Sequence, residues 1–371
     1  MAGYSERALH GGGIWQAAQR WGVKPEDVLD FSANINPFGP PEGVRNALMN
    51  VRVIESYPDG TAFAAALAEK TKITTDQLVV GNGSAALIFA AIRAISPAKV
   101  MMFEPAFAEY HRAAFAVRAD SHRYRLREDN GFLPDFAEVN SLISSGRIDL
   151  TIINSPHNPT GILWPHKQVL DIIRAAHKAA SVVLLDNAFA DFVREYEEPL
   201  QEMLVLGNTV VIKSLTKFYS IPGLRIGYAQ AASPLASRIR DQIEAWSVSS
   251  LTLSAALGAI TDSAYEQKTL KRNETARQSL AAALANAGVT VFPSVANFLL
   301  VKLPLGSGTG LATYLEPHRI LVRQCGSFGG LGDQYIRVAV RSETDNERLA
   351  ELIGQWLRQV SKGKPECPVL S

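Results

Sequence analysis

Ser181-Val182-Val183-Leu184-Leu185-Asp186 is the stretch on which the fold turns. Four consecutive apolar residues without polar alternation fit a strand covered on both faces, a central strand of a parallel sheet with helices on either side. Similar short runs rich in β-branched residues fall at Gln77–Val80, Lys99–Phe103, Leu150–Asn154, Thr209–Lys213 and Leu224–Ala229. Between them Ser84–Ile95, Ala106–Val117, His166–Ala179 and Ala190–Leu206 favour helix by composition and spacing. Strand and helix alternate, which predicts an open α/β domain over residues 50–245, with ligands beyond the carboxyl ends of the strands.

After residue 245 the pattern changes. A long Ala-rich stretch, Ser254–Gly288, reads as helix, Val289–Leu303 and Ile336–Arg341 as strands, and Glu347–Val360 as a last helix, so residues 246–371 are expected to form a smaller α+β domain. Residues 1–49 are expected to be an arm and active-site loop, because Gly11-Gly12-Gly13 and Asn34–Pro41 are loop chemistry. The tail 362–371 is expected to fray.

Composition narrows the function. The 371 residues carry 37 Lys+Arg against 36 Asp+Glu, a formal charge of +1, so no large positive field exists to attract a nucleic-acid backbone. The longest apolar stretches are about half the roughly 20 residues of a membrane helix, and the first twenty residues lack the pattern of a secretory signal. Two cysteines, Cys325 and Cys367, are too few for a disulfide scaffold and lack metal-ligand spacing, which fits a reducing cytoplasm and no metal. Small-molecule partners are expected.

The residues that follow the strands carry the chemistry. Lys217, in Ser214-Leu215-Thr216-Lys217, sits among apolar and hydroxyl neighbours, where a buried lysine loses its charge readily and can condense with an aldehyde. Most lysines at strand ends are simply solvated. Ser214 three positions before it and Arg225 eight after it add a hydroxyl and a guanidinium, which suit an aldehyde that also bears phosphate, such as pyridoxal phosphate. An ordinary polar loop holds the same residues. Gly81-Asn82-Gly83-Ser84 opens a helix whose N–H groups could face an anion, or is only a turn. Asp186 could pair with a protonated pyridine nitrogen or cap the next helix. Asn158, in the turn Asn154–Gly161, could donate to a phenolate oxygen, and Phe107 could stack on an aromatic cofactor or belong to the core.

In this order and at these spacings, Gly81–Ser84, Glu104–Tyr110, His157–Gly161, Asp186–Phe189, Ser214–Lys217 and Pro222–Gly227 resemble the fold-type I pyridoxal-phosphate enzymes of the aspartate aminotransferase superfamily, over nearly the whole chain. The resemblance implies pyridoxal 5′-phosphate as cofactor and a mostly parallel central sheet with a smaller C-terminal domain. It makes Lys217 the Schiff-base lysine and Asp186 the partner of the pyridine nitrogen. Asn158 would contact the phenolic oxygen, Phe107 would stack on the ring, and Gly83, Ser84, Ala85, Ser214 and Arg225 would hold the phosphate. Tyr57 is similar to the family tyrosine that reaches a phosphate in the neighbouring subunit, which implies a homodimer with shared sites.

Within the superfamily, His10-Gly11-Gly12, Asp30–Pro37, Phe107–Tyr110, Ser214–Tyr219, Ile221–Gly223 and Arg337–Ser342 look like the threonine-phosphate decarboxylase branch of cobalamin biosynthesis, near the histidinol-phosphate aminotransferases. The likeness implies a phosphorylated amino acid as substrate, contacted by His10, Gly11, Asn34, Asn158, Arg323 and Arg337. Arg337 would clamp the carboxylate, and Arg323 with His10 would take the phosphate. A histidinol-phosphate-type aminotransferase and an O-phosphoserine decarboxylase are the alternatives. Phe189 stands where the aminotransferases usually carry tyrosine, which favours a decarboxylase; Asn187 and Gly13 depart from the usual acidic residue and asparagine. Arg323 and Arg341 could equally be salt-bridge residues and His10 a solvated one. A non-catalytic sensor on this fold is disfavoured by the balanced charge.

Overall fold

The computed structural model describes residues 11–194, 196 and 200–363. His10 and most of the tail, 364–371, lie outside them. The strands in chain order are β1 (Leu29–Asp30), β2 (Leu78–Gly81), β3 (Lys99–Glu104), β4 (Asp120–Arg125), β5 (Leu150–Asn154), β6 (Val182–Asp186), β7 (Thr209–Ser214), β8 (Gly227–Ala231), β9 (Thr290–Val291), β10 (Phe298–Lys302), β11 (Ile320–Leu321), β12 (Arg323–Gln324) and β13 (Tyr335–Ala339).

Seven of them make one sheet in the order β2-β8-β7-β6-β5-β3-β4, parallel except for β8, which runs against both neighbours. Successive side chains of a strand point to opposite faces, and here both faces are dry. Val100, Met102, Ile152, Leu184 and Val210 pack on the helices Ser84–Ile95, Ala108–Ala116 and Ser233–Arg240. Met101, Phe103, Val183, Leu185 and Val211 pack on Thr61–Thr71, Phe136–Ser144, His166–Lys178 and Ser250–Ile260. The unbroken run 182–185 is the sequence trace of that double cover; truncating Leu184 to alanine would cost about 2–5 kcal/mol.

A second, antiparallel sheet, β12-β13-β10-β9, buries Leu299, Val301, Ile336 and Val338 against Leu280, Leu284, Ile353 and Trp356 of the helices Ser263–Asn286 and Glu343–Ser361. The N-terminal arm runs along this side. β1 pairs in parallel with β11, and Phe31 continues the ladder, its N–H donating to Leu321 O and its carbonyl accepting from Ala339 N–H, both at 2.8 Å.

Several elements differ from the sequence expectation. Ala190–Leu206 is not one helix but a 3-10 turn, Ala190–Phe192, and a helix, Leu200–Leu206; Pro199 has no N–H to continue a helix from its N-terminal side. Ser254–Gly288 divides into Ser250–Ile260 and Ser263–Asn286, because the Asp262 side chain accepts from Tyr265 N–H at 2.9 Å and starts a new helix. Val289–Leu303 holds two strands separated by a turn in which Ser294 Oγ accepts from Ala296 N–H and donates to Phe298 O. β8 begins at Gly227 rather than 224, after a 3-10 turn at Pro222–Leu224 and a left-handed Arg225, φ 53°. β4 carries no apolar run because it is an edge strand, largely exposed.

Candidate active site

The carboxyl ends of β2, β5, β6 and β7 meet at one edge of the large sheet: Gly81 and Ser214 both pair with Gly227, and Asn154 pairs with Asp186. From Ser214 the chain makes one helical turn, Leu215–Phe218, which turns Lys217 back over the strand ends. Lys217 Nζ donates to Ser214 Oγ at 2.9 Å and stands 5.5 Å from the centre of the Phe189 ring. Burial brings its pKa down to about 8; the Asp186 charge opposes that drop, and Arg225 and Arg337 add to it. A lysine held there is neutral often enough to act as a nucleophile.

Asp186 lies deeper, at the end of β6. Tyr110 Oη donates to its Oδ2 at 2.6 Å and Ala188 N–H to its Oδ1 at 3.0 Å. Burial raises its pKa, against the Tyr110 hydrogen bond and the Lys217 charge. A buried carboxylate whose direct partners are neutral donors is a receptor for a cation. Phe107 opens the helix Ala108–Ala116 beside it, its ring edge-on to Tyr110 at 5.6 Å.

Gly83 caps the twelve-residue helix Ser84–Ile95 with φ +84°, a conformation that favours glycine, and an added Cβ would stand 2.6 Å from Arg225 Nη2. The guanidinium therefore lies against the backbone that leads into Ser84 and Ala85, whose N–H groups open the helix. Ser214 Oγ and Thr216 Oγ1 share a hydrogen bond of 2.9 Å on the same edge. Helix N-terminus, guanidinium and hydroxyls are the kinds of group that bind a phosphate.

The opposite wall comes from the small sheet and the arm. Arg337, buried on β13, donates through Nη1 to Asn158 Oδ1 and through Nη2 to Ser32 O at 2.9 Å, while its buried Nε has no hydrogen-bond partner. Burial lowers its pKa to about 10. Because Asn158 Oδ1 is engaged by Arg337, its Nδ2 is the end left for another acceptor. Gly11 lies flush on the arm, since a Cβ there would fall 2.0 Å from Ser32 O. Asn34 is buried with Oδ1 unpartnered. Arg323 is the register partner of Arg337 across β12 and β13, with Nη1 on Gln324 O and Nη2 on Ser327 Oγ, each at 2.9 Å. Burial lowers its pKa as well. Among the described residues neither arginine has a carboxylate partner; Arg341 does, on Asp345 at 3.2 Å, and donates to Asp30 O.

Hydrogen bonds, strand register and charge contacts thus link Lys217, Asp186, Ser214, Gly83, Arg225, Asn158, Arg337 and Arg323, with Ser84, Ala85, Phe107, Asn34 and Gly11 on adjoining segments. Tyr57 stands apart, 76% exposed and stacked on Trp246 at 4.5 Å. Sequence reasoning assigned no role to Tyr110, although its place three residues after Phe107 on a helix is a usable signal. The Ser32 carbonyl left none, because any residue type supplies one.

An amine that titrates near pH 8, set between a phosphate receptor and a carboxylate that awaits a cation, fits a phosphorylated pyridine aldehyde. That defines an enzyme of the fold-type I class, with pyridoxal 5′-phosphate as its cofactor. The chain belongs to the aminotransferase class I and II family, which matches residues 26–354. It is 38% identical to threonine-phosphate decarboxylase of Salmonella typhimurium, over 92% of this chain and 94% of that protein. It is 31% identical to histidinol-phosphate aminotransferase 1 of Nitrosococcus oceani, over 93% of each. The crystal structure of L-threonine-O-3-phosphate decarboxylase from Porphyromonas gingivalis superposes with a TM-score of 0.79 at 25% identity, over 89% of this chain and 100% of that one. Among the described residues no helix is long and apolar enough to cross a membrane.

Proposed function

We propose that the chain decarboxylates O-phospho-L-threonine to (R)-1-aminopropan-2-yl phosphate and carbon dioxide, for the aminopropanol linker of cobalamin. The observation that carries this reading is the pairing of Arg323 with Arg337 across two antiparallel strands. Side chains directly opposite in such a ladder stand roughly 4.5–5.5 Å apart at Cβ, and like charges there repel unless an anion joins them. A substrate with a carboxylate at one end and a phosphate at the other supplies two. Phe189 supports decarboxylation over transamination, because it offers no hydroxyl to a phenolic oxygen.

When bound, pyridoxal phosphate supplies an electron sink for the pair released at Cα. In this reading Gly83, Ser84, Ala85, Ser214 and Arg225 would hold its phosphate, Phe107 would stack on the ring, and Asn158 Nδ2 would donate to the phenolic oxygen. Asp186, oriented by Tyr110 and Ala188, would keep a positive charge on the ring nitrogen. Lys217 would hold the aldehyde, and Lys217 or water would supply the proton that takes the place of the lost carboxylate on Cα. Arg337, pinned between Asn158 and Ser32, would hold the substrate carboxylate in place, and about an ångström of such placement decides which bond to Cα breaks. Arg323 and His10 take the substrate phosphate, and Gly11 and Asn34 close the cleft around it.

The same reading divides the chain into 1–49, 50–245 and 246–371 and makes it a cytoplasmic homodimer. Met49, Val51, Ile54, Tyr57 and Trp246 are exposed apolar side chains, a surface that a second copy would cover, with Tyr57 reaching the phosphate of the partner's site. The test is carbon dioxide release from O-phospho-L-threonine and O-phospho-L-serine without a keto acid, beside transamination of histidinol phosphate, which has no carboxylate to lose, with 2-oxoglutarate. Sustained release from the first supports the reading; turnover confined to histidinol phosphate with 2-oxoglutarate overturns it.

A further inference from the structure

Lys217 rides on a helix of only four residues, Leu215–Phe218. A single turn bears the cost of helix nucleation with no propagation to offset it, and its last carbonyls need outside partners. The following chain supplies some of them: Tyr219 N–H reaches Leu215 O at 3.3 Å and Ile221 N–H reaches Thr216 O at 3.0 Å. Ser220 N–H reaches Lys217 O only at 3.4 Å and Tyr265 Oη reaches Phe218 O at 3.3 Å, and the shorter bonds to these two carbonyls come from one residue far away in sequence. Asn36 N–H donates to Lys217 O at 3.0 Å, and Asn36 Nδ2 donates to Phe218 O at 2.9 Å. The Asn36 side chain is 2% exposed and held on every side: Nδ2 also faces Tyr265 Oη at 2.8 Å and Thr269 Oγ1 at 3.3 Å, and Oδ1 accepts from Phe38 N–H at 3.2 Å. Four residues earlier on the same segment, Ser32 O accepts from Arg337.

We propose that Asn36 is a positioning residue for Lys217: it closes the turn that carries the amine and ties that turn to the segment holding Arg337. One stretch of chain, residues 32–36, then sets the distance between the amine and the substrate clamp. The inference rests on the assignment of Lys217 as the lysine that holds the aldehyde.

The test compares wild type with Asn36→Asp, Asn36→Ala and Thr269→Val, all loaded with pyridoxal phosphate. Asn36→Asp keeps the volume and still accepts from Phe38 N–H, and its second oxygen can accept from the Tyr265 and Thr269 hydroxyls that now accept from Nδ2, but it loses the amide donor to Phe218 O; Asn36→Ala serves if the carboxylate prevents folding. Thr269→Val removes a hydroxyl from the same cluster and leaves both carbonyl contacts intact. The readouts are the pH midpoint of the cofactor absorbance band, the separate kcat and KM for O-phospho-L-threonine, and borohydride labelling of Lys217. The Asn36 variants should shift the midpoint by about half a pH unit or more and lower kcat roughly tenfold with KM within about threefold, while Thr269→Val matches wild type. An unchanged midpoint and kcat in the Asn36 variants overturn the proposal, as does the same change in Thr269→Val, which would mean general loosening. Wild type that carries no label at Lys217 overturns the assignment beneath it; labelled wild type with unaffected Asn36 variants overturns this inference alone.

Discussion

Tyr110 Oη reaches Asp186 Oδ2 at 2.6 Å, and both groups are buried. Burial holds the phenol well above its ordinary pKa, so it remains a donor, and burial also raises the acid, so its charge depends on the donors around it. Tyr110→Phe removes one of two. A hydrogen bond to a charged group contributes about 1.5–3 kcal/mol, so the variant should bind pyridoxal phosphate roughly ten- to hundredfold more weakly. Absorbance titration of cofactor-free protein measures this, and wild-type affinity would detach Tyr110 from the site.

Lys217 gives a pH signature in the cofactor-free protein. Its pKa of about 8 lies below the ordinary lysine value because the charged form is buried. Asp186 raises it and Arg337 lowers it, so Asp186→Asn should move the midpoint below 8 and Arg337→Gln should move it up. Acylation of the amine with mass-spectrometric readout follows each midpoint. Above pH 8 and until the unfolded lysine also titrates, the unfolded chain carries a proton that the folded one lacks, so this group makes stability rise with pH in that window.

Much of the cleft was legible because its residues end apolar runs. Asp186 closes β6 and Ser214 closes β7, and a polar residue at that point of a doubly covered strand is visible in one dimension. β4 was invisible for the opposite reason: Asp-Ser-His-Arg-Tyr-Arg at an edge needs no apolar pattern. The break at Asp262 inside an Ala-rich stretch depends on a side-chain cap that propensity alone does not reveal. The Asn36 contacts join residues 182 positions apart, and the pairing of Arg323 with Arg337 is a matter of register; neither distance can be read from spacing.

The two arginines should separate by substrate. On the proposed reading Arg337→Gln removes the carboxylate clamp and Arg323→Gln removes part of the phosphate pocket. Each charge-assisted contact is worth about 1.5–3 kcal/mol, so each variant should lose roughly ten- to hundredfold in kcat/KM for O-phospho-L-threonine. With unphosphorylated L-threonine as a slow substrate, the Arg337 variant should still be impaired and the Arg323 variant should match wild type. Equal losses on both substrates would show that Arg323 acts on the fold or on Arg337 rather than on the phosphate.

The apolar surface around Ile54 predicts an association that can be broken. Met49 is exposed at the end of the helix Glu42–Met49 and Ile54 in the 3-10 turn Val51–Glu55. Ile54→Glu would bury a charge in a subunit interface, which is costly without a partner. Sedimentation should show a dimer for the wild type and a shift toward monomer for the variant, with activity falling as the dimer dissociates because Tyr57 would serve the partner's site. A wild-type monomer with full activity contradicts this.

His157 supplies a test of stability rather than catalysis. It is buried in the turn that presents Asn158, its Nδ1 2.8 Å from Thr160 Oγ1, and burial lowers its pKa to about 4. As pH falls below 6.5 the unfolded chain takes up a proton that the folded imidazole refuses, so stability is lost progressively until pH reaches about 4, where the folded form protonates too. The loss between pH 7 and pH 5 should be about 2 kcal/mol from this residue. His157→Gln has no such proton to refuse. Urea unfolding at the two pH values should therefore show a smaller acid penalty for the variant than for wild type, even if the variant starts from lower stability at pH 7; equal penalties would mean that the imidazole is reached by water and titrates as an ordinary histidine.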